Sequence, residues 1–218
     1  LTILGTDSGG QTTPTLVEML GDEDPSHRWW AAEALAHAGE VEQVMPVLIE
    51  MLDDQDSTAR WQAARSLAAI GEPARVTVPI LIEMFDDQDS GVRDSVTDAL
   101  GRIGKPAVPA LIDALQDSDS AIRVSAAMSL EAVGEPAKAA VPVLIEALDD
   151  EDAGVRSRAA GALGGIGETA KAAVPILIEM LHDEEQAMRA MAAGALGLIG
   201  VPAKAAVPVL KELLDDEN

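Results

Sequence analysis

The chain of 218 residues has no cysteine, no tyrosine, one phenylalanine (Phe85) and three tryptophans. Without cysteine there is no disulfide framework, thiolate metal site or cysteine nucleophile, and the compartment stays open. Aromatic residues make up 2% of the chain, whereas a single globular core leans on large rings for its buried area. A core of Ala, Leu, Ile and Val suits thin, closely packed helix layers instead. No uninterrupted apolar run of about 18 residues is present to read as a membrane span. Residues 1–10 lack the charged and apolar regions of a signal peptide, which favours a cytoplasmic over a secreted protein. Positive charge is scarce: 15 Lys and Arg against 38 Asp and Glu give a net charge of −23. Such a chain repels phosphate backbones and anionic membrane surfaces, so the expectation is no nucleic acid and no membrane. A basic partner is favoured; solubility, or adaptation to high salt, is the alternative use of the same charge.

Internal repetition dominates the sequence. Prolines fall at Pro14, Pro46, Pro79, Pro109, Pro142, Pro175 and Pro208, spaced by 32, 33, 30, 33, 33 and 33 residues. Eight residues after each stands an aspartate: Asp22, Asp54, Asp87, Asp117, Asp150, Asp183 and Asp216. Fourteen after each of the first six stands an arginine: Arg28, Arg60, Arg93, Arg123, Arg156 and Arg189. A leucine follows seven further on, from Leu35 to Leu196, and a glycine four beyond that, from Gly39 to Gly200. Five residue types held in phase six times define about six repeats of roughly 33 residues, with a partial one from position 208.

Each unit reads as two helices. The first begins near the proline, whose missing N–H has no helical partner in a first turn. An acidic turn follows, as in Asp149-Asp150-Glu151-Asp152, and the second helix runs to the glycine. Asp24, Asp56, Asp89, Asp119 and Asp152 are the expected N-caps. The glycine is expected to end the helix in the left-handed conformation. Relative to the arginine, small or apolar residues at −1, +3, +4, +6, +7 and +10 form one stripe; in the second unit these are Ala59, Ala63, Ala64, Ser66, Leu67 and Ile70. No unit buries its faces alone, so the units must stack. Residues 1–5 are in phase with Leu67 to Gly71, and Pro208 to Asp216 with a first helix and its turn; a segment of a longer solenoid is the expectation. The spacing of 30 shortens the connection between Gly104 and Pro109, with an expected local change in superhelical twist.

The pattern, seen in "VPVLIEALDDEDAGVRSRAAGALGGIG" and "VPILIEMLHDEEQAMRAMAAGALGLIG", resembles the HEAT repeat family, in particular the short HEAT-like repeats of the phycobilisome-lyase type. The Thr-Pro-Leu-His signature of ankyrin repeats and the Trp and Tyr pattern of tetratricopeptide repeats are missing. The resemblance implies an all-α, right-handed α-α superhelix of antiparallel helix pairs with the second helices on the concave face. It also implies that the repeated Asp and Arg form a structural ladder between units: Asp22, Arg28, Asp54, Arg60, Asp87, Arg93, Asp117, Arg123, Asp150, Arg156, Asp183 and Arg189.

Little in the chain points to chemistry. Aspartate and arginine recur in every unit, as active sites do not. The acidic turns lack the central Gly and closing Glu of a calcium loop; no metal and no cofactor is expected, and Asp149 to Asp152 is the densest carboxylate group. His27, His37 and His182 are scattered, and no Ser-His-Asp set can be defended from their spacing. The His-Glu motifs of di-iron HEAT-repeat hydroxylases are missing, and the acidity disfavours the basic groove of HEAT-like DNA glycosylases. The chain is therefore not expected to be an enzyme.

If the second helices line the concave face, positions +1, +2, +5 and +9 from each arginine are exposed there. All three tryptophans fall on this set. The candidate partner-binding residues are Trp29, Trp30, Glu33, Trp61, Gln62, Arg65, Asp94, Asp98, Arg102, Met128, Arg158 and Met191, with Ser95 and His37 on the same register. Tryptophan is enriched at binding hot spots; capping of an exposed end is the alternative. The last units offer mostly small residues, a smooth apolar floor suited to a helix or an apolar ligand. The expected function is a protein-interaction scaffold with a basic or helical protein partner on the concave face. The alternatives are a phycobilin lyase-like or chaperone-like tetrapyrrole-handling protein and a passive structural spacer.

Overall fold

The computed structural model describes residues 12–215. The readings of residues 1–5 and of Asp216 lie outside that range. Among the described residues there is no strand. First helices are α1 (Thr12–Met19), α3 (Val41–Leu52), α5 (Val78–Glu83), α7 (Val108–Ala114), α9 (Val141–Glu146), α11 (Val174–Met180) and α13 (Val207–Asp215). Second helices are α2 (Pro25–His37), α4 (Ser57–Ile70), α6 (Ser90–Ile103), α8 (Ser120–Val133), α10 (Ala153–Ile166) and α12 (Gln186–Ile199). None is long and apolar enough to cross a membrane.

Two leucine series make the core. On the first helices Leu48, Leu81, Leu111, Leu144 and Leu177 are fully buried; on the second, Leu35, Leu67, Leu100, Leu130 and Leu163 are too. Burial of each contributes about 1.5–3 kcal/mol of transfer free energy. Alanines at 31, 32, 63, 64, 126, 127, 159 and 160, also fully buried, let neighbouring units close on one another.

The second helices pack directly on their successors, α2 on α4 through to α10 on α12. The spacing is tight. A Cβ added at Gly101 would lie 2.6 Å from the Ala132 Cβ, and one at Gly164 would lie 3.1 Å from the Ala195 Cα. First helices meet their neighbours largely through 3₁₀ segments such as Glu72–Thr77 and Glu135–Ala140. The layer with the smaller side chains is the closer-spaced one, and in a stack that curves the closer-spaced layer is the inner one.

The five predicted aspartate N-caps all accept a backbone N–H from the residue two further on: Ser26, Thr58, Gly91, Ala121 and Gly154. In the sixth unit the cap position is Glu185, whose longer side chain makes no capping bond.

Three expectations are corrected. The closing glycines have positive φ, from 69° to 84°, but Gly71, Gly104, Gly134, Gly167 and Gly200 have ψ between −128° and −142° and are not left-handed helical. This extended turn, open essentially to glycine alone, presents the Gly71 and Gly134 carbonyls to the N–H groups of Ala74 and Ala137, which starts the next 3₁₀ segment. Pro46 does not open its helix. The stretch Val41–Met45 lacks the Glu-Pro-Ala step found after Gly71 and Gly134, and it coils as regular helix, leaving Pro46 inside α3. Ser95, expected on the exposed face, is only 9% exposed, because the tight approach of the second helices covers the edge of that register.

Candidate functional site

The repeated Asp and Arg do their first work inside each turn. In all six described units the aspartate Oδ1 accepts the N–H two residues on, at 2.8 to 2.9 Å. The arginine Nη1 donates to that aspartate's own carbonyl six residues back. The reach to the next unit is uneven. Arg60 grips Asp87 with two bonds of 2.7 and 2.9 Å, and Arg123 grips Asp150 with 2.8 and 2.7 Å. Arg28 reaches Asp54 at 3.4 Å. The forked guanidinium holds the carboxyls of Asp87 and Asp150 below the usual aspartate range, and the two arginines are correspondingly raised.

Two rungs of the ladder are open, contrary to the expectation of a pair at every junction. Arg93 does not meet Asp117, at the junction where the three-residue segment Lys105–Ala107 stands in place of a six-residue 3₁₀ segment. Arg156 does not meet Asp183 and is instead 3.7 Å from Glu185. Beside it lies an open groove of about 800 Å³ lined by Leu148, Asp150, Ile176, Met180 and Glu185, among others. Arg189 closes its own turn, and its partner in the next unit would be Asp216, outside the described residues.

The inner face carries the tryptophans. Trp30 is 65% exposed. Trp29 and Trp61 are partly buried and pack on the core with one edge open. The Arg65 guanidinium stacks over the Trp61 ring, 4.6 Å from its centre, a cation–π contact. Gln62 and Glu33 are partly exposed and Arg65 is exposed. Further along, Asp94, Asp98 and Arg102 are exposed, and Arg102 is tied to Asp98 at 3.0 Å. Met128 and Met191 are partly buried and Arg158 is exposed. A groove of about 360 Å³ opens between the N-terminal halves of α6 and α8, at the junction whose rung is missing; Asp94, Thr97, Val124, Met128 and Asp152 are among its lining residues. The two helices thus touch at Gly101 and Ala132 and separate toward their other ends.

Sequence reasoning missed Glu131. Its carboxylate lies over Gly161 of α10, where an added Cβ would be 3.0 Å from Glu131 Oε2. The expected apolar floor is interrupted there by an anion. The signal was present, since the other units place only Ala or Gly at this position (Ala36, Ala68, Gly101, Gly164, Gly197). The histidines stay apart in role: His27 lies 3.3 Å from Asp22, His37 Nδ1 is 2.7 Å from the Glu33 carbonyl oxygen, and His182 is exposed in a turn.

Comparison with known proteins agrees with this architecture. The family model for HEAT repeats matches residues 13–101, 78–143 and 141–218. No curated protein matches the chain. Among solved structures, an engineered protein is 26% identical, with a TM-score of 0.51 over 87% of this chain and 97% of the other. The complex of CpcE and CpcF of phycocyanin lyase from Nostoc sp. PCC7120 is 25% identical, with a TM-score of 0.51 over 95% of this chain and 85% of the other. The archaeal HEAT-like repeats protein from Thermococcus onnurineus NA1 shares the fold at 14% identity, with a TM-score of 0.58 over 88% of each chain. Stacked antiparallel helix pairs, the Asp and Arg of every turn and the matching family model together place this chain in the HEAT repeat family.

Proposed function

We propose that the protein is a non-catalytic interaction scaffold that holds a protein partner on its inner face. The observation that carries this reading is the placement of the tryptophans. All three in the chain lie on the inner register of the first two units, and Trp30 is left 65% exposed. An open indole on a monomeric surface leaves a large apolar area in water, and such residues anchor interfaces. The repeated polar residues, by contrast, are spent on turns and junctions and, among the described residues, leave no nucleophile, base and orienting group in one place.

The test is affinity capture from an extract of the source organism, comparing the parent with a Trp29→Ala, Trp30→Ala, Trp61→Ala triple variant of equal helicity. A protein retained by the parent and lost by the variant supports the scaffold reading. Identical capture by both overturns the inner-face site and makes the tryptophans packing residues. A second reading, a tetrapyrrole-handling protein, is favoured only by the likeness to the phycocyanin lyase complex. A pigment co-purifying with the parent, identified by its visible absorption, would replace the first reading with this one.

A further inference from the structure

Resting on that scaffold reading, we infer that the partner segment is basic and amphipathic, its apolar side seated on the tryptophans and a cationic side chain entering the groove between α6 and α8. Charge complementarity carries this choice. The chain has a net charge of −23, and each turn leading into a second helix bears two to four carboxylates. These turns form a ridge along the edge of the inner face. Trp29 and Trp30 are the fifth and sixth residues of α2 and Trp61 the fifth of α4, which puts them about 8 Å along the helix from the ridge. That is within a Debye length at physiological salt, so a segment lying on the rings feels the ridge.

The face itself is not electrically neutral once its internal pairs are set aside. Arg102 is held by Asp98, while Arg65, stacked on Trp61, and Arg158 keep their positive charge against Glu33, Asp94 and Glu131, which leaves one carboxylate in excess. Glu33 and Asp94 have no ion-pair partner among the described residues. Asp94 stands at the rim of the 360 Å³ groove, with Asp152 and Arg93 also on its wall and Val124 and Met128 as apolar lining, so that two carboxylates face one guanidinium. Apolar walls with carboxylates at the rim match a Lys or Arg side chain, whose methylene stem buries while its head stays polar. The Arg65–Trp61 stack displays the contact that Trp30, still open, can offer to a second guanidinium or ammonium.

The experiment titrates two helix-forming peptides of about five turns into the full chain, one with Lys and Leu faces and one with Glu and Leu faces. All tryptophans sit on the inner register and the chain has no tyrosine, so indole emission reports occupancy of that face directly. Calorimetry supplies the Kd. The Lys/Leu peptide is expected to bind, shift the emission and weaken with added salt. Trp30→Ala and Asp94→Lys, each checked for unchanged helicity, are each expected to weaken it by about tenfold or more. The inference is overturned if both variants bind the Lys/Leu peptide like the parent, since the peptide then lies on the acidic ridge alone. It is overturned equally if neither peptide binds. If the Glu/Leu peptide binds as tightly and depends on Trp30, the scaffold reading stands and the basic partner falls.

Discussion

Three glycines occupy one register of the second helices, eight residues after the arginine: Gly101, Gly164 and Gly197. Replacing glycine by alanine within a helix gains about 0.8–1.0 kcal/mol of intrinsic propensity. At Gly197 a Cβ meets nothing within 4 Å, so Gly197→Ala should stabilise by about that amount. At Gly101 the new Cβ would sit 2.6 Å from the Ala132 Cβ, while carbon atoms pack at about 3.5–4.0 Å. Relief requires α6 and α8 to part by about 1 Å, and overpacking of this kind costs about 1–3 kcal/mol. The net expectation for Gly101→Ala is a loss of about 0–2 kcal/mol. The cleaner quantity is the coupling: combining it with Ala132→Gly removes the clash, so a double-mutant cycle should return about 1–3 kcal/mol of interaction. Urea unfolding followed by circular dichroism, with all four proteins under one condition, measures it. A stabilisation by Gly101→Ala equal to that of Gly197→Ala, or a coupling near zero, would refute the close helix approach on which the curvature rests.

Two further outcomes are expected. Asp87 and Asp150 ionise more readily in the folded protein than in the unfolded chain, so on the acid side the unfolded state takes up protons first. Their stabilisation is complete above the unfolded aspartate value of about 3.9 and is lost as the pH falls through the lower folded value; urea midpoints measured from pH 5 downward should fall less steeply in an Asp87→Asn, Asp150→Asn variant. Glu185→Asp should restore the missing N-cap of α12 and raise stability by about 0.5–1 kcal/mol, seen as a higher urea midpoint at an unchanged slope; no change would mean the backbone at Glu185 cannot present a shorter carboxylate to the free N–H groups.

Much of the architecture was legible because it is local. The proline, the cap aspartate, the leucine and the arginine's bond to its own turn each act within one unit, and six copies made their phase plain. Lateral information was harder to read. Ser95 is covered and Gly161 lies under Glu131 because of how closely one second helix approaches the next, a distance set by pairs of residues about thirty apart. The two missing rungs belong to the same class: Asp117 has the right identity, at a junction where the segment twelve residues earlier is shortened. The ψ of the closing glycines was hidden for a related reason, since positive φ is compatible with two exits and the 3₁₀ segment beyond selects one. At the inner face, the tryptophans were visible as candidates from register alone, whereas the groove between α6 and α8 depends on how two helices about thirty residues apart approach one another.

The uneven ladder gives the stack a mechanical character. In a one-dimensional array each junction carries its own free energy, and the whole responds at its weakest links. Joints with a two-bond arginine clasp, between the second and third units and between the fourth and fifth, behave as stiff blocks. The joints at Arg93 and Arg156 carry no such clasp and become the compliant ones. Under tension applied to its ends the protein would lengthen at these two places first, one of them beneath the groove beside Asp94, so that pulling on the stack and filling its inner face would work against each other.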